Sequence, residues 1–474
     1  MEFNKVTPEI IEQLKAIAPG RAFAGSEINE DYAHDEMRFY GTKLPDVVVE
    51  ATSAEEISAI LKLANENNIP VIPRGAGTGL AGGAVAKYGG IMVSTVRMNK
   101  IKSYDLGNLT VVVEPGVLLN DLAEDAAKQG LMYPPDPGEK FATLGGNVST
   151  NAGGMRAVKY GSTRDYVRAM QVVLPTGEIV RFGSNVTKTS SGYSFINLIC
   201  GSEGTLGFIT ELTLSLIPMP KEFVSLIVPF EDLESCIATV PQIFLNKFEP
   251  QALEFMGRDI VEMSEKYLEK ENFPKVIDGV EAGAYLLMTF DGNDRDQLDA
   301  ICEQISEVLF ENGALDVFVA DTPDKRRDAW AARSQFLESI QAATDELDEC
   351  DVVVPRDKIA EYFNWVLTLQ EKYNVTIRGF GHAGDGNLHI YACKEGDMSL
   401  EEFSEKAHDV MHEMYTKAVE MGGEISGEHG IGHSKVGFLE DAAGETKMAL
   451  MQGIKKVFDP NNILNPGKVC EKFD

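Results

Sequence analysis

The chain has 474 residues, of which 44% are hydrophobic and 25% charged, the composition of a globular protein long enough for two or three domains. Acidic residues outnumber basic ones 74 to 43, a formal charge of −31. That balance argues against nucleic acid and anionic membrane surfaces as partners, because both call for lysine and arginine against phosphate.

The six cysteines, Cys200, Cys236, Cys302, Cys350, Cys393 and Cys470, form no CxxC pair. An iron–sulfur cluster and a cysteine-rich zinc module are therefore not expected, and a reducing cytoplasm is. The start Met1-Glu2-Phe3-Asn4-Lys5-Val6-Thr7-Pro8 lacks a basic, apolar leader. No apolar run approaches the ~20 residues of a membrane helix.

Thr7-Pro8 predicts the N-cap and first turn of a short helix. Asp46 to Ala51 reads as a strand, and Ser53 with Glu56 reads as a capping box opening a helix from Ala54 to Glu66. A strand at Ile69–Pro73 runs into Arg74-Gly75-Ala76-Gly77-Thr78-Gly79-Leu80-Ala81-Gly82-Gly83. A glycine run after a strand exposes backbone N–H groups that can cradle a pyrophosphate. It is not a P-loop, which needs Gly-Lys-Ser/Thr at its end, and its glycines are too dense for the dinucleotide fingerprint. A strand at 91–94, another at 109–114 and a helix from Leu118 to Gln129 follow.

Two further small-residue loops come next, Thr143 to Gly154 and Gly201 to Thr210, with Pro134-Pro135-Asp136-Pro137-Gly138 before them and a hairpin at 172–180 between them. Three such loops suit backbone approaching a long, multiply hydrogen-bonding ligand; three tight turns are the alternative.

After Pro218-Met219-Pro220 the texture changes to strands near 223–230 and 284–290, with a helix at 233–244, an α+β region. Thr322-Pro323 opens a helix carrying Trp330 and Arg333. A guanidinium near apolar surface can pair with a carboxylate, or its stem can pack while the head reaches water. Two of only seven histidines, His382 and His389, flank a tight loop between two strand signals, and Gly427-Glu428-His429-Gly430 follows later. Two imidazoles and a carboxylate form a ligand set for Zn, Mn or Fe; hydrogen bonding to backbone is the other reading. His408 and His412 read as ordinary surface residues of the helix Glu401 to Met421.

Together these motifs resemble the FAD-linked oxidases with the vanillyl-alcohol-oxidase type of flavin fold. Within them they are similar to the D-2-hydroxyacid dehydrogenases: D-lactate dehydrogenases, the flavin subunit of glycolate oxidase and D-2-hydroxyglutarate dehydrogenase. The matching stretches are Pro73–Thr78, Asn147–Gly154, Gly201–Thr210, Gly381–His389, Gly427–Gly432 and Asn465-Pro466-Gly467-Lys468. The resemblance runs from about residue 40 to the end.

It implies an α+β fold: a two-part FAD-binding domain (1–220 and 421–474) with an inserted α+β substrate cap (221–420). It implies FAD contacts from Arg74, Gly75, Ala76, Gly77, Thr78, Gly79, Pro135, Thr143, Gly145, Gly146, Asn147, Thr150, Asn151, Gly153, Gly154, Gly204, Gly207, Ile209 and Asn465. Some members attach FAD through a histidine; Thr78 stands there, which implies non-covalent FAD. The implied roles are His382, His389 and Glu428 as metal ligands, His429 as general base and Arg333 as the clamp on a substrate carboxylate. The acidic run Asp345-Glu346-Leu347-Asp348-Glu349-Cys350-Asp351, placed just upstream of a strand, would repel a second carboxylate, so a small 2-hydroxy monocarboxylate is expected, D-lactate before glycolate. The implied electron acceptor is another protein or a quinone. Some anaerobe relatives use an electron-transferring flavoprotein of alpha and beta subunits, coupled to NAD and ferredoxin. Oligomerisation is left open.

Overall fold

The computed structural model describes residues 2–394 and 396–470. The chain divides into two compact units. The first comprises Met1–Gly153, Ser162–Met219 and Glu428–Asp474; the second comprises Gly154–Gly161 and Pro220–Gly427.

In the first unit local chemistry sets the helix starts. Thr7 accepts a hydrogen bond from the Ile10 amide at 3.5 Å and opens the helix Pro8–Ile17, which buries Ile10 and Leu14. Ser53 caps the helix Ala54–Glu66 by accepting from the Glu56 amide at 3.2 Å. The other half of the expected capping box is absent. The Glu56 carboxylate instead accepts from the Thr52 amide at 2.8 Å and pairs with Arg21 at 2.5 Å, because the guanidinium is the stronger partner.

Strands β1 (Ala22–Ala24), β2 (Val47–Glu50), β3 (Val71–Arg74) and β4 (Ile91–Ser94) form a sheet in the order β1-β2-β4-β3. β4 is parallel to both β2 and β3. Val47, Val48 and Val49 are all fully buried, as expected where both faces of a parallel pair are covered. Strands β5 (Ile101–Asp105), β6 (Thr110–Val113), β7 (Val167–Val173), β8 (Ile179–Gly183) and β9 (Phe208–Ser215) make an antiparallel sheet ordered β5-β6-β9-β7-β8. The stretch after Thr143, expected as a loop, is a short helix, Leu144–Thr150. Thr143 caps it by accepting from the Gly146 amide, and Ser149 and Thr150 donate back to the carbonyls of Gly145 and Gly146.

The second unit is built on seven antiparallel strands: β10 (Glu222–Phe230), β11 (Ala252–Gly257), β12 (Ala284–Gly292), β13 (Phe318–Ala320), β14 (Glu346–Val353), β15 (Thr376–His382) and β16 (Asn387–Lys394). Their order is β13-β10-β12-β11-β15-β16-β14. The acidic run expected to precede a strand is the strand β14 itself. Asp348, Glu349 and Asp351 are buried in it. The density of acidic residues obscured a strand in which Glu349 and Asp351 find partners on β16 and Asp348 accepts from the Glu349 amide.

Residues opposite one another across strands share a face of the sheet. Glu254 lies opposite His382, Phe380 opposite His389, Asp351 opposite His389 and Glu349 opposite Tyr391. Period two therefore gathers two imidazoles and three carboxylates on one face. Thr289 and Ser225 continue that face, and Trp330 of the helix Pro323–Ser334 donates to both hydroxyls, at 3.0 and 3.1 Å. This fixes the helix over the sheet and sets Arg333, one turn on, above the Phe380 ring at 4.5 Å.

Candidate active site

In the second unit the loop Ala383-Gly384-Asp385-Gly386 folds β15 back onto β16. Gly386 has φ +92°, and a Cβ there would collide with the Val354 carbonyl, so the turn requires glycine. Closing the turn brings Nε2 of His382 within 3.3 Å of Nε2 of His389, with the rings almost perpendicular at 89°. Both rings are buried, 5% and 4% exposed.

Each imidazole has a carboxylate behind it. Nδ1 of His382 is 2.7 Å from Glu254 Oε1, and Nδ1 of His389 is 3.6 Å from Glu349 Oε1. A carboxylate hydrogen-bonded to Nδ1, as Glu254 is to His382, favours the tautomer with its proton on Nδ1. Glu349 also accepts from the Tyr391 hydroxyl at 2.7 Å. Asp351 accepts from Asn387 Nδ2 at 2.8 Å and from the Ser426 hydroxyl at 2.7 Å.

Glu254 is fully buried and carries two partners. Its Oε2 accepts from Arg333 Nε at 2.8 Å and Nη2 at 2.7 Å, while Oε1 faces His382. Burial pushes its carboxyl up, but His382 and Arg333 outweigh this and the net shift is downward. Arg333 is thus not an open fork. One edge is engaged by Glu254, and the plane lies over Phe380 and Phe336. Of the acidic run expected to repel a second carboxylate, Glu349 accepts from the Tyr391 hydroxyl, and Asp351 from Asn387 and Ser426. His408 and His412 are exposed on the helix Leu400–Glu420.

Sequence reasoning missed Glu254 and Glu349. Glu254 did carry a signal: it is the one charge in the otherwise apolar strand Ala252–Gly257, and a buried carboxylate needs partners.

The first unit holds Glu428 and His429, both half-buried, with 3.8 Å between Glu428 Oε1 and His429 Nε2. It also holds the glycine-rich loops. Gly75, Ala76, Gly77, Thr78 and Gly79 follow β3, and Pro135 precedes the helix that carries Gly145, Gly146, Asn147 and Thr150. Arg74, expected at the cofactor, donates to the carbonyls of His34 at 2.7 Å and Asp31 at 2.9 Å. Its guanidinium fills the space where Gly77, at φ +82°, would carry a side chain. Thr143 serves as a helix cap, and Asn151, in the left-handed region, closes the same helix. Gly204 abuts Pro73, Gly207 packs on Val172, and the Ile209 side chain is in the core, so only backbone is offered there. Gly153 neighbours the Glu428 carboxylate. Asn465 donates to the carbonyls of Gly83 and Glu203, bracing two loops. Gly154 belongs to the second unit.

The loops are stiffened by buried charges. Glu203 accepts from the amides of Ile431 and Gly432, each at 2.8 Å, and burial pushes its carboxyl up. Asp35 accepts from the Gly82 amide at 2.6 Å, and burial raises it to about 6. Burial lowers Lys468 to about 7. Asn147 Nδ2 and Ser202 Oγ are buried with no hydrogen-bond partner among the described residues. Orphaned polar atoms on two of the three loops fit a polar ligand that completes them.

Residues 45–183 match the FAD binding domain, and residues 219–469 match the C-terminal domain of FAD linked oxidases. The chain belongs to the FAD-linked oxidases. It is 61% identical over 472 residues to a D-lactate dehydrogenase of Anaerostipes hadrus, covering 100% of this chain and 99% of that one. It is 40% identical over 428 residues to a D-lactate dehydrogenase of Archaeoglobus fulgidus, covering 90% and 92%. The solved structure of p-cresol methylhydroxylase with substrate bound superposes with a TM-score of 0.76 at 18% identity, over 97% of this chain and 95% of that one, a likeness of fold. The expected two-domain flavin fold and the redox-enzyme assignment are therefore correct. This oxidoreductase has an FAD-binding domain. Among the described residues no helix is long and apolar enough to cross a membrane.

Proposed function

We propose that this FAD-linked oxidase is a dehydrogenase of a small D-2-hydroxy acid, D-lactate first and glycolate second, yielding the 2-oxo acid. The observation that carries the reading is the sheet face on which two imidazoles, a guanidinium and a shared carboxylate are packed together. The full-length similarity to D-lactate dehydrogenases supports it.

The reaction removes a hydroxyl proton and the Cα hydride. FAD, when bound, would supply the hydride acceptor, and a divalent cation, Zn, Mn or Fe, would make the hydroxyl more acidic. His382 and His389, with Glu428 from the later motif, supply a donor set suited to such a cation. Arg333 offers its Nη1 side to the substrate carboxylate, and the Phe336 and Phe380 rings keep the guanidinium poorly hydrated, which strengthens the pairing. His429, as a neutral imidazole, takes the hydroxyl proton. The residues of the three loops, with Asn147 and Ser202 offering unsatisfied polar atoms, hold the flavin without a covalent bond. Electrons leave to a partner, for which an electron-transferring flavoprotein is the first candidate and a quinone the second; the enzyme works in the cytoplasm.

The test is turnover with an artificial acceptor on D-lactate, glycolate and D-2-hydroxyglutarate, before and after chelation. D-lactate should lead, and chelation should abolish turnover until a divalent metal is restored. Comparable turnover on D-2-hydroxyglutarate would overturn the substrate reading. Undiminished turnover after complete metal removal would overturn the metal reading.

A further inference from the structure

We infer that Glu254 is a positioning residue that ties the metal side of the site to the substrate side. The inference rests on the metal and Arg333 roles proposed above. The geometry is specific to this carboxylate. Oε1 meets Nδ1 of His382 at 2.7 Å, and Oε2 meets Nε and Nη2 of Arg333 at 2.8 and 2.7 Å. The side chain is fully buried, so no water competes for either oxygen. It reaches both partners from the middle of β11, directly opposite His382 in the register, where its backbone is held by strands on both sides.

Two consequences follow. A carboxylate at Nδ1 fixes the His382 tautomer, aims the Nε2 lone pair and raises its basicity; such partners are worth about 10–100-fold in metal affinity. The same carboxylate anchors one edge of Arg333, so the guanidinium arrives with one orientation and presents Nη1 without losing further side-chain freedom. Arg333 in turn draws electron density from Glu254 and places a positive charge near the cation site. Removing that cation should therefore strengthen metal binding. A residue that only fills space predicts no such gain.

The experiment compares wild type, Glu254→Gln and Arg333→Gln, each as the flavin-loaded protein. Divalent-metal affinity is measured by competition with a chromogenic chelator, and flavin content by visible absorbance. KM and kcat for D-lactate are measured with metal in excess. Glu254→Gln should keep its flavin, bind metal about 10–100-fold more weakly and raise KM about tenfold even when metal is saturating. Arg333→Gln should raise KM and bind metal severalfold more tightly. Should Glu254→Gln fail to fold, the Arg333→Gln metal affinity alone decides the matter. Unchanged metal affinity in Arg333→Gln, or unchanged metal affinity and KM in Glu254→Gln, overturns the inference. A wild type that binds no divalent ion overturns the metal reading itself and this inference with it, so the two failures are distinguishable.

Discussion

In the reaction we propose, His429 removes a proton from an alcohol near neutral pH. An imidazole is the side chain whose ordinary pKa lies closest to that task. Replacing it with Asn keeps a polar side chain but removes the base. His429→Asn should keep the yellow flavin absorbance and slow its anaerobic reduction by D-lactate about 10²–10³-fold, roughly 3–4 kcal/mol of barrier. Reduction at the wild-type rate, followed by stopped-flow absorbance, would remove His429 from the role. Arg333 shows the limit of reading single residues. Its spacing from Trp330 was visible, and so was its apolar surrounding. That two of its five N–H donors are taken by Glu254, 79 positions away, was not.

At the scale of elements, local signals and long-range ones diverge. The helix Ala54–Glu66 was legible to the residue, because Ser53 carries its own start signal. The β15–β16 hairpin was legible from strand propensity either side of a glycine-rich loop. β14 was not: its carboxylates argue against burial until Tyr391, Asn387 and Ser426 are seen to satisfy them. The hairpin makes a testable demand. Gly386→Ala forces a side chain into a left-handed position against the Val354 carbonyl, a strain of about 1–3 kcal/mol. The variant should melt at lower temperature and bind divalent metal more weakly, because the two imidazoles no longer meet. A variant with wild-type metal affinity would show that the turn does not set their separation.

At the scale of the whole molecule, two units contribute different chemistry. The first carries glycine-rich loops with orphaned buried polar atoms on two of them, and the second carries a sheet face of imidazole, guanidinium and carboxylate. The flavin fold was legible in sequence because its three loops occur in order and their glycines are fixed by backbone approach. The second unit's chemistry was half legible. Histidines stand out where they are few, but Glu254 and Glu349 are hidden among 74 acidic residues and only the strand register selects them. The function proposed is the oxidation of a small D-hydroxy acid by bound flavin. The most direct measurement is an anaerobic titration of the purified protein with D-lactate and, separately, L-lactate, followed by visible absorbance. The protein should be yellow, with a flavin band that bleaches with D-lactate and persists with L-lactate. A colourless protein, or a flavin that D-lactate leaves oxidised, would contradict it.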